Sequence, residues 1–265
     1  MSVYGAPCGL HGGKEIFHKA MAKKYAIYDL HGHFLPGMDD GCKTVEEAIQ
    51  ILQTSYAQGI RGMFATPHYY PIEPIETFLQ RRETAMQALT RRMEQENQPL
   101  PWICLGAEVA YHPGLGYEEN LEKLCLGSSR YLLLEMPFER WSDEVTRSVR
   151  NICRTKGITP IIAHIERYLP MQSRDTLMGV LEQDVLVQMN AEHLLQFRSR
   201  RQGRRMLERG MVQLLGSDCH NMTTRQPNIG QAVAYLEKKR MGRAVCAIAQ
   251  LSQSIFQQAT EGDLD

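Results

Sequence analysis

No stretch of this sequence is apolar for long enough to cross a bilayer, so a spanning helix is not expected. No excess of either charge is present. Lys plus Arg and Asp plus Glu number 30 each, and nothing in that balance points to nucleic acid or a membrane surface as partner. The opening residues 1–24 lack the apolar centre of a secretory signal. They read as a polar, glycine-containing extension, loosely ordered. No C-x-x-C pair occurs, and the seven cysteines stand singly, a usage that fits reduced thiols and a cytoplasmic protein. No linker rich in Pro or Gly divides the rest, so residues 25–265 are expected to form one domain with a sizeable core.

What the chain does contain is a repeated alternation of strand and helix. "YAIYDL" is a short strand pattern. It is followed by "TVEEAIQILQTSYAQG", where Thr44 and Glu47 have the spacing of a capping box and Gly59 supplies the stop. "IRGMFAT" precedes a long polar helix over residues 75–95, and "WICLGAEV" precedes a short helix at "ENLEKLCL". "YLLLEMP", "TPIIAHI" and "DVLVQMN" are each followed by helical periodicity, and "VQLLGSD" comes before two closing helices. About seven such units argue for an α/β fold with a parallel sheet covered by helices. The strands are apolar almost throughout, as burial on both faces requires.

Polar residues recur where these strands end. The first strand ends in His31 and His33, the second in His68 and the third in Glu108. The fifth ends in His164 with Arg167 just beyond, the sixth in Asn190, and the seventh in Asp218 and His220. A closed β/α barrel brings all these ends to one face, the face that carries active sites. Imidazole mixed with carboxylate suits Zn, Mn or Fe. His31 and His33 alternate along an extended segment and can point the same way. Asp40 lies one loop further on. Five histidines with Asp40, Glu108 and Asp218 exceed the needs of one ion, so two or three are expected, with Glu108 bridging two of them.

Other residues are open to plainer readings. His112 is either a surface residue or one more ligand; His193 is a helix or loop residue near the site. Asp39 is a turn-former, Glu135 either supports the ligands or forms an ion pair, and Glu166 pairs with an arginine. His11 and His18 fall in the extension. The basic run "FRSRRQGRRMLER" has no interleaved aromatics and reads as a solvated helix face able to attract an acidic, phosphorylated tail. Cys219 to Arg225, "CHNMTTR", has the C-x₅-R spacing of cysteine-dependent phosphatases. It lacks a loop glycine, and Asp218 beside the thiol would raise its pKa.

Together, "DLHGHFLPGMDDG", "ATPH", "GAEV", "IAHIERY" and "SDCHN" resemble the motifs of the PHP (polymerase and histidinol phosphatase) superfamily. More narrowly they resemble its bacterial metal-dependent protein-tyrosine phosphatases of the capsule-biosynthesis (CpsB/YwqE) type. That resemblance implies a distorted, seven-stranded (β/α)7 TIM-like barrel with a three-ion site, usually Mn2+. By motif position, His31, His33, Asp40, His68, Glu108, His164, Asp218 and His220 resemble the ligands, and Arg167 and Arg225 the phosphate-binding arginines. The implied partner is the phosphotyrosine-bearing C-terminal tail of an autophosphorylating kinase in capsule or exopolysaccharide biosynthesis. Superfamily relatives also cleave histidinol phosphate and nucleic-acid phosphodiesters, which leaves a second substrate class open.

Overall fold

The structure, a computed structural model, describes residues 26–261; the expected N-terminal extension over residues 1–24 lies outside the described residues. The first half of the chain forms β1 (Ile27–Asp29), α1 (Val45–Ala57), β2 (Ile60–Ala65), β3 (His68–Tyr69), α2 (Ile75–Met93), β4 (Trp102–Leu105) and β5 (Glu108–Ala110). After it come β6 (Tyr131–Glu135), α3 (Asp143–Lys156), β7 (Thr159–Ile162), α4 (Arg174–Leu181), β8 (Leu186–Asn190), α5 (Ala191–Leu195), α6 (Arg200–Glu208) and β9 (Leu214–Gly216). The helices α7 (Ile229–Lys238) and α8 (Gly242–Thr260) close the chain. Among the described residues no helix is long and apolar enough to cross a membrane.

Local chemistry explains several boundaries. Thr44 Oγ1 accepts the Glu47 amide at the start of α1, while the Glu47 carboxylate reaches back to the Lys43 amide. One leg of the capping box is therefore displaced by a residue. Ser142 and Ser173 cap α3 and α4 in the same way. Gly157 ends α3 at φ 60°, a left-handed conformation open to glycine without a Cβ penalty. The segment "ENLEKLCL" forms only a 3₁₀ turn, Leu121–Leu124, where the sequence suggested a short helix.

All neighbouring strands pair in parallel. They form a three-stranded sheet, β1-β2-β4, and a six-stranded one, β3-β5-β6-β7-β8-β9. β3 continues the path of β2 across Thr66 and Pro67, and β5 continues β4 across Gly106 and Ala107. The ladder carries on through both breaks, with Gly106 N donating to Ala65 O at 2.9 Å and Glu108 N to Pro67 O at 3.1 Å. Nine strands thus make seven staves, since two pairs each count once. The two edges of the curl meet at one isolated bridge, Gly32 with Cys219. There His33 N donates to Cys219 O and Asp218 N to His31 O. The result is a distorted, incompletely closed β/α barrel.

Strand alternation sorts the core into two parts. Leu132, Leu134, Ile162, Val187, Met189 and Leu215 join the large apolar cluster beneath the helices. Phe64, Cys104, Leu133, Ile161 and Leu214 belong to a second cluster inside the curl. Ile255, Phe256 and Ala259 of α8 complete that inner cluster. Phe256 meets Tyr28 and Phe64, with ring centroids at 4.8 and 5.2 Å. A Cβ on Gly62 would lie 2.6 Å from Tyr28 and 2.7 Å from Phe256, so this close approach requires glycine. Two residues further along each strand, the inner face turns polar. Leu133 gives way to Glu135, Phe64 to Thr66 and then His68, and Cys104 to Gly106 and then Glu108.

Candidate metal centre

At that polar end, His31 and His33 place their Nε2 atoms 3.0 Å apart. Each has its other nitrogen engaged: His31 Nδ1 faces Gln188 Oε1 at 3.3 Å, and His33 Nδ1 faces Asp39 Oδ2 at 2.7 Å. Since both partners are acceptors, Nδ1 carries the proton in the neutral rings and Nε2 the lone pair. Two lone pairs at that distance repel unless a cation or a proton lies between them. His220 is arranged alike. Its Nδ1 donates to the Asp218 carbonyl at 3.0 Å, and its buried Nε2 has no hydrogen-bond partner.

Glu108 stands at the centre of the group, with Oε2 3.1 Å from both His31 Nε2 and His33 Nε2 and 3.2 Å from His68 Nδ1. Its Oε1 lies 2.8 Å from His164 Nε2. Asp218 Oδ1 is 3.5 and 3.6 Å from the first two histidines. Asp40 Oδ1 approaches His220 Nε2 at 3.3 Å and His68 Nε2 at 3.6 Å. Its side chain is 65% exposed, so this edge of the centre opens to solvent. Three groupings have donor spacing fit for an ion: His31, His33 and Asp218; His33, Asp40, His68 and His220; and His68, Glu108 and Glu135. Buried carboxylates and imidazoles crowded in this way are costly without compensating charge. The donor set therefore fits divalent ions.

The electrostatics carry the same mark. Burial alone would lower the pKa of His33, but the Asp39 and Glu108 carboxylates raise it to about 10. Burial would raise Glu108, yet the surrounding histidines hold it well below the usual carboxylate range. Glu135 has the opposite balance: burial and the neighbouring Glu108 push it up to about 7. Two positions at this rim adopt left-handed backbone without being glycine, His164 at φ 30° and Asp218 at φ 52°. Such conformations cost energy and concentrate at functional sites.

Several residues occupy roles that the sequence left open. Asp39 does make a turn, accepting the Gly41 amide at 2.9 Å. It also fixes His33 and accepts the His68 amide at 2.9 Å. Glu135 lies 3.6 Å from His164 Nε2 and 3.9 Å from His68 Nδ1, which places it among the candidate donors. Its position two residues after Leu133, on the inner face of β6, was the available signal. Gln188 was not singled out, although its Oε1 holds both His31 Nδ1 and the His164 amide. Glu166 accepts the Asn190 amide, and the nearby Arg167 charge favours its ionised form against burial. His112 faces Glu118 at 4.0 Å and belongs to none of the three groupings among the described residues. His11 and His18 lie outside the described residues.

Arg167 and Arg225 grip Asp218 from two sides. Arg225 Nη2 lies 2.6 Å from Oδ1, and Arg167 bonds Oδ2. Both line a cleft of about 370 Å³ together with Asn190, His193 and Asn228. Cys219 is fully buried, and burial with the nearby Asp29 pushes its thiol far above its ordinary value. The amides after it are already taken. His220 N and Asn221 N donate to Arg225 O, and those of Thr223, Thr224 and Arg225 donate to Asn221 Oδ1. The loop has neither a thiolate nor a free amide cradle, which removes the cysteine mechanism.

A curled parallel barrel with histidines and carboxylates gathered at the carboxyl ends of its strands defines a metal-dependent hydrolase. The family of capsular polysaccharide synthesis proteins, CpsB/CapC, matches residues 27–253, and the chain belongs to that family. It is 32% identical over 232 residues to the tyrosine-protein phosphatase CpsB of Streptococcus pneumoniae, covering 80% of this chain and 90% of that protein. It is 31% identical over 227 residues to the tyrosine-protein phosphatase YwqE of Bacillus subtilis, covering 80% and 85%. A crystal structure from the YwqE and CpsB metal-dependent tyrosine phosphatases shares the fold. Its TM-score is 0.77 at 24% identity, over 88% of this chain and 95% of that one. Membership and donor set together make the chain a metal-dependent phosphatase.

Proposed function

We propose that this phosphatase removes phosphate from phosphotyrosine on the C-terminal tail of an autophosphorylating kinase in capsule or exopolysaccharide biosynthesis, with Mn2+ as the working metal. The observation that carries the reading is the convergence of the His31, His33 and His220 Nε2 atoms and the Glu108 carboxylate beside two arginines. Support for tyrosine as the substrate residue comes from CpsB and YwqE, both tyrosine phosphatases.

In this reading His31, His33 and Asp218 would hold one ion, Asp40, His68 and His220 together with His33 a second, and Glu108 and Glu135 with His68 a third, His164 standing beside them against both carboxylates. When bound, divalent ions polarise phosphoryl oxygens and make water acidic enough to be a nucleophile near neutral pH. The chain's own residues do the rest. Gln188 and Asp39 fix the tautomers of His31 and His33, so that both lone pairs face inward. Arg167 and Arg225 offer planar forks suited to phosphate oxygens. Asp218 holds both guanidinium groups at the cleft before substrate arrives. A tyrosine leaving group, with an ordinary pKa of about 10, departs with little acid assistance, which fits a centre rich in metal donors.

The test is hydrolysis of a phosphotyrosine peptide, with histidinol phosphate as competitor substrate. EDTA should abolish turnover and Mn2+ restore it, while Cys219→Ser should keep kcat/KM within about threefold, since a buried thiol takes no part. Preference for histidinol phosphate, or a dead Ser variant with chelator harmless, would overturn the reading.

A further inference from the structure

Two large aromatic side chains stand exposed at the mouth of the centre, Tyr70 at 44% and Phe138 at 52%. Each lies flat against a histidine of the donor set. The Tyr70 and His68 rings are 5.3 Å apart at 25°; those of Phe138 and His164 are 5.9 Å apart at 21°. Phe138 is backed by Tyr168 at 5.2 Å. Tyr168 is itself fixed by Trp141 at 5.3 Å and by accepting the Met136 amide at 3.0 Å. His68 and His164 face Glu135 from its two oxygens, so the two aromatics flank the Glu108–Glu135 pair. They follow β3 and β6, while Arg167 and Arg225 follow β7 and β9. The exposed rings and the arginines therefore share one mouth: Phe138 stacks on His164, beside the Arg167 charge, and Tyr70 on His68, whose neighbour Asp40 faces Arg225 at 3.9 Å.

We propose that Tyr70 and Phe138 form the binding site for the aryl ring of the substrate and select aryl over alkyl phosphates. The inference rests on the phosphotyrosine reading above and assigns it to particular side chains. Arg167 and Arg225 take phosphate oxygens, and the ester group then meets the exposed rings at the same mouth. Rings already stacked on one face keep their second face or edge for an incoming ring, an arrangement favoured by aromatic quadrupoles. A serine phosphate offers no such ring.

The experiment uses the metal-loaded protein and two non-hydrolysable probes, phenylphosphonate and methylphosphonate, with affinities measured by calorimetry. Wild type should bind the phenyl probe about tenfold more tightly than the methyl probe. Tyr70→Ala with Phe138→Ala should bring that ratio to about one, with methylphosphonate affinity and ion content unchanged, because each ring contact is worth up to about a tenfold change. Tyr70→Phe should keep the wild-type ratio, since the ring and not the hydroxyl is at work. A double variant that retains the ratio, a wild type that shows none, or a Tyr70→Phe that behaves as Tyr70→Ala would overturn the assignment. Failure of the phosphotyrosine reading is separate: the wild type would bind phenylphosphonate selectively yet leave the phosphotyrosine peptide intact.

Discussion

Asp39 and Asp40 are neighbours of identical chemistry, and the fold gives them different tasks. Asp39 turns inward, holding His33 and the His68 amide; Asp40 turns outward to the open edge. The sequence made Asp39 a turn-former and Asp40 a ligand; that Asp39 also holds His33 and the His68 amide was not readable, because alternation has no meaning inside a turn. Glu135 was more legible, since the inner-face parity of β6 runs from Leu133 straight to it. Arg225 is the residue whose role is most open to measurement. It is about one third exposed and already paired with Asp218, so an ordinary ion pair is the competing account, one that contributes about 0–1 kcal/mol. If it meets phosphate, Arg225→Ala loses charge-assisted hydrogen bonds worth about 1.5–3 kcal/mol each. That is roughly a ten- to hundredfold fall in kcat/KM, with melting temperature and ion content near wild type. Lys at this position should recover only part of the loss. An unchanged kcat/KM on aryl phosphates would return Arg225 to the ion-pair account.

Among the elements, the short apolar strands and the periodic helices were readable because the two patterns alternate along the chain. The two broken staves were not. Each continues its ladder, and only the local geometry at Pro67 and Gly106 interrupts the strand. The 3₁₀ turn Leu121–Leu124 shows the same limit, since a few residues support either helix type. The helix with the clearest structural task is α8, whose Phe256 fills the end of the inner cluster opposite the metal centre. Phe256→Ala removes a buried ring and should cost about 3–5 kcal/mol. For a chain of this size that is a melting temperature lower by roughly 6–20 °C. Ion content per folded chain should be retained, because the substitution lies at the far end of the curl. A shift under about 3 °C, read by calorimetry at fixed metal, would mean that other side chains seal this end.

Across the whole molecule, the strand count and the gathering of polar strand ends were legible, but the manner of closure was not. Parallel order follows from alternation; a seam made by one bridge depends on where the chain bends after β1 and β9. The donors straddle this seam. His31 and His33 come from one edge, Asp218 and His220 from the other, and among the described residues one isolated bridge, Gly32 with Cys219, joins the backbones there. Bound ions should therefore fasten the two edges together, stabilising the native state by linkage. Chelation should speed amide exchange at His33 and Asp218, whose bonds cross the seam, by about tenfold or more, while Leu133 and Ile161 of β6 and β7 change little. Equal changes at seam and sheet centre, measured by hydrogen exchange, would show that the ions act on the barrel uniformly.

The same seam sets an order in time. On the ribosome His31 and His33 emerge early, and their partners Asp218 and His220 only after most of the chain has been made. At roughly 5–20 residues per second, the first histidine pair waits on the order of ten to forty seconds for the other half of its site. The apolar strand paths made in between have no closed barrel to enter until β9 and α8 arrive. A message cut short before α8 would keep every candidate donor yet lack Ile255, Phe256 and Ala259 of the inner cluster, leaving the far end of the curl unsealed and its apolar strands prone to association.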